Sequence, residues 1–224
     1  MENRPIIFLI DDDQISIAGV SRLLSSSKIR LITGTDAGLR DLNPHAFPKR
    51  LLDLVRVERP ALILTEVLYG DHDMLNVFMR ARDMLEANPV VVLSERDQPI
   101  FMARAVAVGA RDFLSKRLPV QQLKQAILDA STQASATGQV EFAKMRSLIF
   151  EREDPFESRY SLTRRESQVL RHLRFGLSNQ EVSASLGLSL ETVKEHVQNL
   201  LRKTSMEDRI QFATHPDFVE TTLV

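Results

Sequence analysis

The chain of 224 residues contains no cysteine, which excludes disulfides and thiolate chemistry and fits a reducing compartment. It also has no apolar run near the roughly 18 residues that a membrane helix needs. The first apolar run, Ile6–Ile10, is too short for the core of a signal peptide, and the acidic triplet Asp11-Asp12-Asp13 follows directly. We therefore expect a soluble, cytoplasmic protein that does not interact with a membrane.

Net charge is also small: 29 Lys+Arg against 30 Asp+Glu give a formal charge of -1. No overall field draws the chain to nucleic acid, so any DNA binding must come from a local surface. The sequence lacks a nucleophile elbow, zinc-ligand spacing, a phosphate-binding loop and a dinucleotide fingerprint. Asp71-His72-Asp73 is better explained as an exposed acidic loop than as a metal site, because three adjacent residues on a strand cannot all face one ion. We expect no enzymatic activity.

The first half of the chain alternates short apolar runs with helical patterns, which predicts a parallel β-sheet covered by helices on both faces. The predicted strands are residues 5–10, 30–33, 61–65, 90–93 and 112–115. The predicted helices are residues 15–25, 48–58, 74–87, 99–108 and 120–131. Residues 34–48 are long for a connection between a strand and a helix, and we interpret them as an insertion with no assigned role.

Polar side chains stand at the ends of four predicted strands. The carboxyl ends of parallel strands meet at one edge of a sheet, where functional groups gather. The side chains in question are Asp11, Asp12, Glu66, Ser94 and Lys116. Such a set can hold Mg²⁺ and a phosphoryl group. Polar residues also commonly begin the loops that follow strands, so the pattern alone leaves both interpretations open.

The composition changes near residue 132, where small polar residues typical of a linker begin. A helical pattern follows at residues 139–150, and the charged segment 151–159 shows no periodicity. We predict a domain at residues 1–131, a linker at 132–159, a second domain at 160–214 and a tail at 215–224.

The second predicted domain has clear helix-start signals. Thr163 and Glu166 have the spacing of a capping box, and Ser178 and Ser189 precede two further helical patterns. The predicted helices are residues 164–175, 179–186 and 190–203. A short helix, a turn with a glycine and a longer polar helix form the helix-turn-helix plan.

In that plan the longer helix enters the major groove of DNA. Its predicted buried side chains are Val193, Val197, Leu200 and Leu201, which leaves Lys194, Glu195, Gln198 and Arg202 on the outer face. Lysine, glutamine and glutamate suit the edges of guanine, adenine and cytosine. Ser189, Thr192, Asn199 and Lys203 flank this face and suit phosphate contacts. Without an excess of basic residues, an ordinary helical bundle with a solvated face also fits the pattern.

Residues 162–213 resemble the LuxR-type helix-turn-helix of the NarL/FixJ family of response regulators. The matching motifs are Leu162-Thr163, Arg165-Glu166, Gly176-Leu177-Ser178-Asn179, Thr192-Val193-Lys194 and Asn199-Leu200. The resemblance implies binding to double-stranded DNA, with Lys194, Glu195 and Gln198 as base-reading residues. It also implies a homodimer on paired half-sites, with the last helix, residues 207–214, joining the DNA-binding domains.

Residues 8–24 and 90–127 resemble the receiver domain that usually precedes this helix-turn-helix, which implies a flavodoxin-like (βα)5 fold. In this resemblance Asp11 and Asp12 are the metal-binding pair, Ser94 the switch hydroxyl, Phe113 the switch aromatic and Lys116 the pocket lysine. The phosphoacceptor aspartate of such domains falls on Glu66. The loop with proline and glycine that normally follows the acceptor is replaced by residues 68–73. Arg117 stands where the family usually has aspartate or proline.

Glutamate is one methylene longer than aspartate, which moves its carboxylate by roughly 1 to 1.5 Å, and in-line phosphoryl transfer tolerates little misplacement. We therefore expect a DNA-binding transcription regulator with a degenerate receiver that acts without, or largely without, aspartyl phosphorylation. No cofactor is required in this interpretation. The clustered carboxylates call for a cation, either Mg²⁺ or, as we prefer, Lys116 in an ion pair with Glu66.

Several alternatives stay open. Glu66 either imitates a phosphorylated aspartate or leaves an inactive pocket. The chain could also be a conventional phosphorylation-driven regulator, or a protein-interaction module whose helix-turn-helix binds a partner. Another regulator is a further expected partner, bound through the receiver.

Overall fold

The computed structural model describes residues 4–25, 28–40, 42, 46–81, 88–132, 140–150 and 155–215. Its strands are β1 (Ile6–Ile10), β2 (Arg30–Thr33), β3 (Leu62–Thr65), β4 (Leu68–Tyr69), β5 (His72–Asp73), β6 (Val90–Ser94) and β7 (Asp112–Ser115). Its helices are α1 (Gln14–Leu24), α2 (Ala46–Glu58), α3 (Met74–Arg80), α4 (Pro99–Ala107), α5 (Val120–Ser131), α6 (Val140–Phe150), α7 (Pro155–Arg159), α8 (Arg164–Arg174), α9 (Asn179–Leu186), α10 (Leu190–Thr204) and α11 (Ile210–Thr214).

The chain forms two compact units. One comprises Met1–Asp97 and Gly109–Gln139, and the other comprises Gln98–Val108 and Val140–Val224. Helix α4 therefore groups with the C-terminal helices, where it packs against α6 and α9.

The first unit is built on a five-stranded parallel sheet with the order β2-β1-β3-β6-β7. In the numbering of the five long strands this is the order 2-1-3-4-5 of flavodoxin-like folds, so the predicted (βα)5 architecture is confirmed. Because all five strands run the same way, the residues that follow them gather at one edge of the sheet.

The two faces of the sheet form two apolar cores. In β1, alternate residues point to opposite faces, as the period of a strand requires. Ile7 and Leu9 pack with residues of α1 and α5, whereas Phe8 and Ile10 pack with residues of α2 and α3. Every residue of β3 and β6 is buried, which explains why these strands appear in the sequence as unbroken apolar runs.

The prediction of an exposed acidic loop at Asp71-His72-Asp73 is wrong in part. His72 and Asp73 are half-buried and form β5, which pairs with β4 in a short antiparallel hairpin. The His72 ring stacks on Phe47 with centroids 4.0 Å apart. The Asp73 side chain caps α3 by accepting a hydrogen bond from Asn76 N at 3.1 Å. Two-residue strands held by a distant aromatic contact leave no periodic signal in the sequence.

The second unit is helical, and its helices α8, α9 and α10 begin and end close to the predicted positions. The predicted helix-turn-helix domain is confirmed. Helix α7 was not predicted, because its five residues are too few to show a period. Parts of four predictions lie outside the described residues: insertion residues 41 and 43–45, helical residues 82–87, linker residues 133–139 and 151–154, and tail residues 216–224.

Candidate acidic pocket and DNA-binding helix

The edge of the sheet brings together three charged residues of the predicted site. Lys116 Nζ lies 2.8 Å from Asp11 Oδ2 and 2.8 Å from Glu66 Oε2. The ion pair expected between Glu66 and Lys116 is therefore present, and Asp11 shares the same ammonium. All three side chains are largely buried, so water screens these charges weakly.

Donors from the chain occupy the other positions on the two carboxylates. Asp11, which is 1 % exposed, accepts from Asp13 N at 3.0 Å and from Ser16 Oγ at 2.6 Å. Glu66 Oε1 accepts from Val67 N at 2.8 Å. Ser16 was not predicted as a site residue; the available signal was a hydroxyl in the first turn of the helix that follows Asp11.

Lys116 is the cation of this pocket. Burial lowers the pKa of Lys116, but its hydrogen bonds and charge interactions with Asp11 and Glu66 outweigh that effect, so the pKa ends above its ordinary 10.5. The side chain therefore stays protonated at physiological pH.

These residues, as arranged, do not fit Mg²⁺. The ion requires octahedral oxygen ligands at about 2.0–2.1 Å, but both oxygens of Asp11 and both of Glu66 already accept from N–H or O–H groups. A divalent ion between these carboxylates would also lie against the Lys116 ammonium. Asp12 is exposed and accepts instead from Gly70 N at 2.9 Å. Within the part of the chain that the structure describes, no group of three acidic or histidine side chains is arranged to hold a metal.

Ser94 ends β6 and Phe113 lies within β7, and both are fully buried. The Ser94 hydroxyl accepts from Arg96 N at 3.0 Å, within the loop that follows its own strand. Arg117, on the loop after Lys116, pairs with Asp97 at 3.0 Å near the surface. Among the six predicted pocket residues, ion pairs join Lys116 to Asp11 and Glu66, and the backbone N–H of Lys116 donates to Ser94 O at 2.9 Å.

Helix α10 divides into a buried face and an exposed face. Ser189 caps it by accepting from Thr192 N at 3.0 Å. Val193, Val197 and Leu200 are buried as predicted, and Leu201 is half-buried. Lys194, Glu195, Gln198 and Arg202 are exposed.

The exposed cations of α10 contact only their own helix in the described part of the chain. Lys194 pairs with Glu191 at 3.2 Å, and Arg202 donates to Asn199 Oδ1 at 3.1 Å. Exposed pairs of this kind contribute little to stability, so the side chains can turn to a ligand at small cost.

Lys203 differs from these residues. Its ammonium donates to Glu166 Oε2 at 2.7 Å and to Ser161 O at 3.1 Å. The residue predicted as a phosphate contact therefore has partners inside its own unit.

Buried polar contacts hold the helix-turn-helix together. His172 lies between Gln168 O (2.7 Å from Nδ1) and Ser185 Oγ (2.8 Å from Nε2). Burial is the main cause that lowers the pKa of His172 to about 4, with the nearby charge of Arg171 adding to it. The ring is therefore neutral near pH 7. Arg171 forms a buried, two-bond ion pair with Glu157 at 2.7 and 2.8 Å.

Glu181 closes a second capping box, at the start of α9. It accepts from Ser178 N and Ser178 Oγ, both at 2.8 Å, and also pairs with Arg104 of α4. Burial raises the pKa of Glu181, but the bonds from Ser178 and Arg104 outweigh burial and hold it below its ordinary value. Arg209 donates to Asn179 Oδ1 at 3.0 Å and to Leu177 O, and so ties α9 to the segment before α11.

Two protein families match this chain. The response regulator receiver domain matches residues 7–128, more than half of the chain. The chain belongs to the response regulators. The luxR family of bacterial regulatory proteins matches residues 160–215. This response regulator is therefore of the NarL/FixJ type, a DNA-binding transcription regulator and not an enzyme.

Relatives match this response regulator along almost its whole length. The response regulator protein VraR of Staphylococcus aureus is 25% identical over 205 residues, 92% of each chain. VraR of Staphylococcus saprophyticus is also 25% identical over 205 residues.

Each helix in the described ranges is too short or too polar to cross a bilayer.

Solved structures of similar fold have lower identity. An RcsB structure from Salmonella typhimurium matches with a TM-score of 0.52 and 15% identity, over 95% of this chain and 98% of that one. An RcsB–DNA complex matches with a TM-score of 0.51 and 15% identity, over 99% and 100%. At this identity the two structures support the fold alone.

Proposed function

We propose that this response regulator reads double-stranded DNA with α10, as a homodimer on paired half-sites, and that its receiver works without aspartyl phosphorylation. Because its ligand is the genome, the protein would act in the cytoplasm. The observation that carries the receiver half of the proposal is the Lys116 ammonium held between Asp11 and Glu66.

The arrangement at Glu66 opposes phosphoryl transfer in three ways. In-line attack needs a free carboxylate oxygen aimed at phosphorus, but Glu66 Oε1 accepts from Val67 N and Oε2 from Lys116. The reaction also uses a divalent ion to neutralise the transferred group, and the carboxylates that would hold it, Asp11 and Asp12, already have protein donors. The added methylene of glutamate displaces the nucleophile further.

Glu66 carries the same single charge as the family's aspartate, but its side chain is one methylene longer and brings that charge to Lys116 without a phosphoryl group. The Glu66–Lys116 ion pair is formed by the chain itself, so the charge arrangement of the pocket does not depend on a phosphoryl group. The receiver takes its input from a binding event instead, for which another regulator is a suitable class of partner.

On the DNA side, the exposed face of α10 supports the proposal. Lys194, Glu195 and Gln198 are the proposed base-reading residues. Ser189, Thr192, Asn199 and Arg202 flank them at positions that suit backbone contacts. RcsB, which shares this fold, has been solved bound to DNA, in one structure as two dimers, and the proposal extends that mode of assembly to this chain. Ile210 on α11 is 66% exposed and offers an apolar contact for the partner's α11.

Acetyl phosphate with Mg²⁺ tests the receiver half of the proposal, with intact mass as the readout. The wild-type chain should gain no phosphoryl group. Glu66→Asp is the matched variant. Its shorter side chain restores the family's acceptor and withdraws the carboxylate from Lys116, so that Asp11 and Asp12 can exchange their protein donors for Mg²⁺, and it should be modified. A phosphoryl group found on Glu66 would support the conventional, phosphorylation-driven regulator instead.

Selection of bound duplexes from a random pool tests the DNA half. Enrichment of a sequence with two related half-sites is the expected result. If no duplex is enriched under low salt, the helix-turn-helix serves a protein partner, and the proposed DNA function fails.

A further inference from the structure

Lys203 is a cation of α10 whose ammonium binds other residues of its own domain. It lies in the last turn of the helix, next to the exposed Arg202, yet its side chain is only 28% exposed. The ammonium reaches residues 37 and 42 positions earlier in the chain, Glu166 Oε2 at 2.7 Å and Ser161 O at 3.1 Å. This contact joins the end of α10 to the start of α8.

The carboxylate that Lys203 binds has a second task. Glu166 Oε2 also accepts from Thr163 N at 2.7 Å, and Glu166 N donates to Thr163 Oγ1, which completes the capping box of α8. The Glu166 side chain is 5% exposed. If Lys203 left to bind a DNA phosphate, it would leave this buried carboxylate without its cation, a costly state for an ionised group.

From these contacts we propose that Lys203 is a positioning residue for DNA recognition. It acts through Glu166 to hold the C-terminal half of α10, and it does not bind a phosphate. Lys194, Glu195 and Gln198 stand about one and a half to two and a half turns before it on the same rigid helix. Their aim at base edges therefore depends on the Glu166–Lys203 contact. This inference rests on α10 being the reading helix of the proposed function.

The salt dependence of DNA affinity separates the two roles. Loss of one phosphate contact lowers the slope of log affinity against log salt concentration by about 1 and weakens all sequences alike. We expect Lys203→Met to weaken binding to the selected duplex about tenfold, a typical loss for one specific contact, with the slope unchanged. Binding to unrelated DNA should stay as in the wild type. Arg202→Met is the matched comparison, and it should lower the slope.

A slope lowered by about 1 in Lys203→Met, with equal losses on selected and unrelated DNA, would overturn the proposal. Lys203→Arg should restore specificity, because arginine can also reach the carboxylate. If instead neither Lys203→Met nor Lys194→Ala affects selected binding, the assignment of α10 itself fails, and that result is distinct from a failure of the Lys203 inference alone.

A double-mutant cycle tests whether Lys203 acts through Glu166. If it does, Glu166→Gln combined with Lys203→Met should bind the selected duplex no more weakly than the worse of the two single variants. Losses that simply add would show that the two side chains act separately. Thermal unfolding of all three variants gives the folded fraction at the assay temperature. Each measured affinity is corrected for that fraction.

Discussion

In the pocket at the ends of β1, β3 and β7 the charges of Asp11, Glu66 and Lys116 face one another, whereas on α10 Lys194 and Glu195 face solvent. The pocket charges have short contacts in a largely buried setting. In the part of the chain that the structure describes, the charged partner of Lys194 is Glu191 on its own helix. A ligand must displace strong contacts in the first region and only weak ones in the second.

The difference separates charges that hold the fold from charges that recognise a ligand. Lys203 shows the limit of judging this from helix position alone, because it lies beside Arg202 but belongs to the first class. Removing a charge of the first class should cost stability, and removing one of the second should cost DNA affinity. The following substitutions test that division.

Lys116→Met should have the largest effect. It leaves Asp11 and Glu66 buried together without a cation, and the free energy of unfolding of the first unit should fall by about 3–5 kcal/mol. Urea unfolding, monitored by hydrogen exchange of amides in the sheet, measures the loss of unfolding free energy. The exposed Lys49 of α2 is the control, and Lys49→Met should change stability by less than about 0.5 kcal/mol.

Mg²⁺ gives the same variant a second readout. With the ammonium removed, the carboxylates can accept a divalent ion, so Mg²⁺ should stabilise Lys116→Met and leave the wild type unchanged. Equal stabilisation of both proteins would mean that Lys116 does not take the place of the cation.

The sequence predicted best what depends on local spacing. The apolar periods located the long strands, and the capping residues Thr163, Ser178 and Ser189 set the starts of three helices within one residue. The strand ends placed Glu66 and Lys116 in one pocket, because a parallel sheet leaves its carboxyl ends no other arrangement.

Contacts between distant segments were the part that could not be predicted. The partner of Lys203 lies 37 residues away, and the ring beneath His72 belongs to Phe47 at the start of α2. Neither distance follows from a period or a cap. The hydroxyl of Ser16 is closer in sequence to Asp11, but its bond depends on how the first turn of α1 approaches the end of β1.

His172 should make the second unit sensitive to mild acid. Its folded pKa of about 4 lies below the ordinary 6.5, so the unfolded chain takes up a proton at higher pH than the folded chain does. The stability from the neutral ring is fully present above pH 6.5 and is lost as the pH falls toward 4, by about 3 kcal/mol in total. Unfolding free energies between pH 7 and 5 measure the slope.

His172→Gln removes the titrating group, so the slope of unfolding free energy against pH should disappear between pH 6.5 and 5. His196→Gln, on the half-buried side of α10, should keep it. The depressed pKa values of Glu166 and Glu181 act only below their ordinary 4.5, outside this window. A slope that persists in His172→Gln would assign the acid sensitivity to another group.

Lys194→Ala should leave stability within about 0.5 kcal/mol of the wild type and still weaken binding to the selected duplex by about 1–3 kcal/mol. The loss should be concentrated at one base position, since a base contact specifies sequence. Fluorescence anisotropy with duplexes varied at each position measures it. Lys144→Ala, which removes an exposed lysine from α6, should bind as the wild type does.

The most direct test of the central claim is the affinity of the full chain for its selected duplex, with and without acetyl phosphate and Mg²⁺. Because Lys116 already holds the pocket charge, the two dissociation constants should agree within error, and Glu66→Asp should be the variant that responds. A wild-type chain that binds more tightly after phosphodonor treatment would contradict the claim that its receiver is set by Glu66 and Lys116.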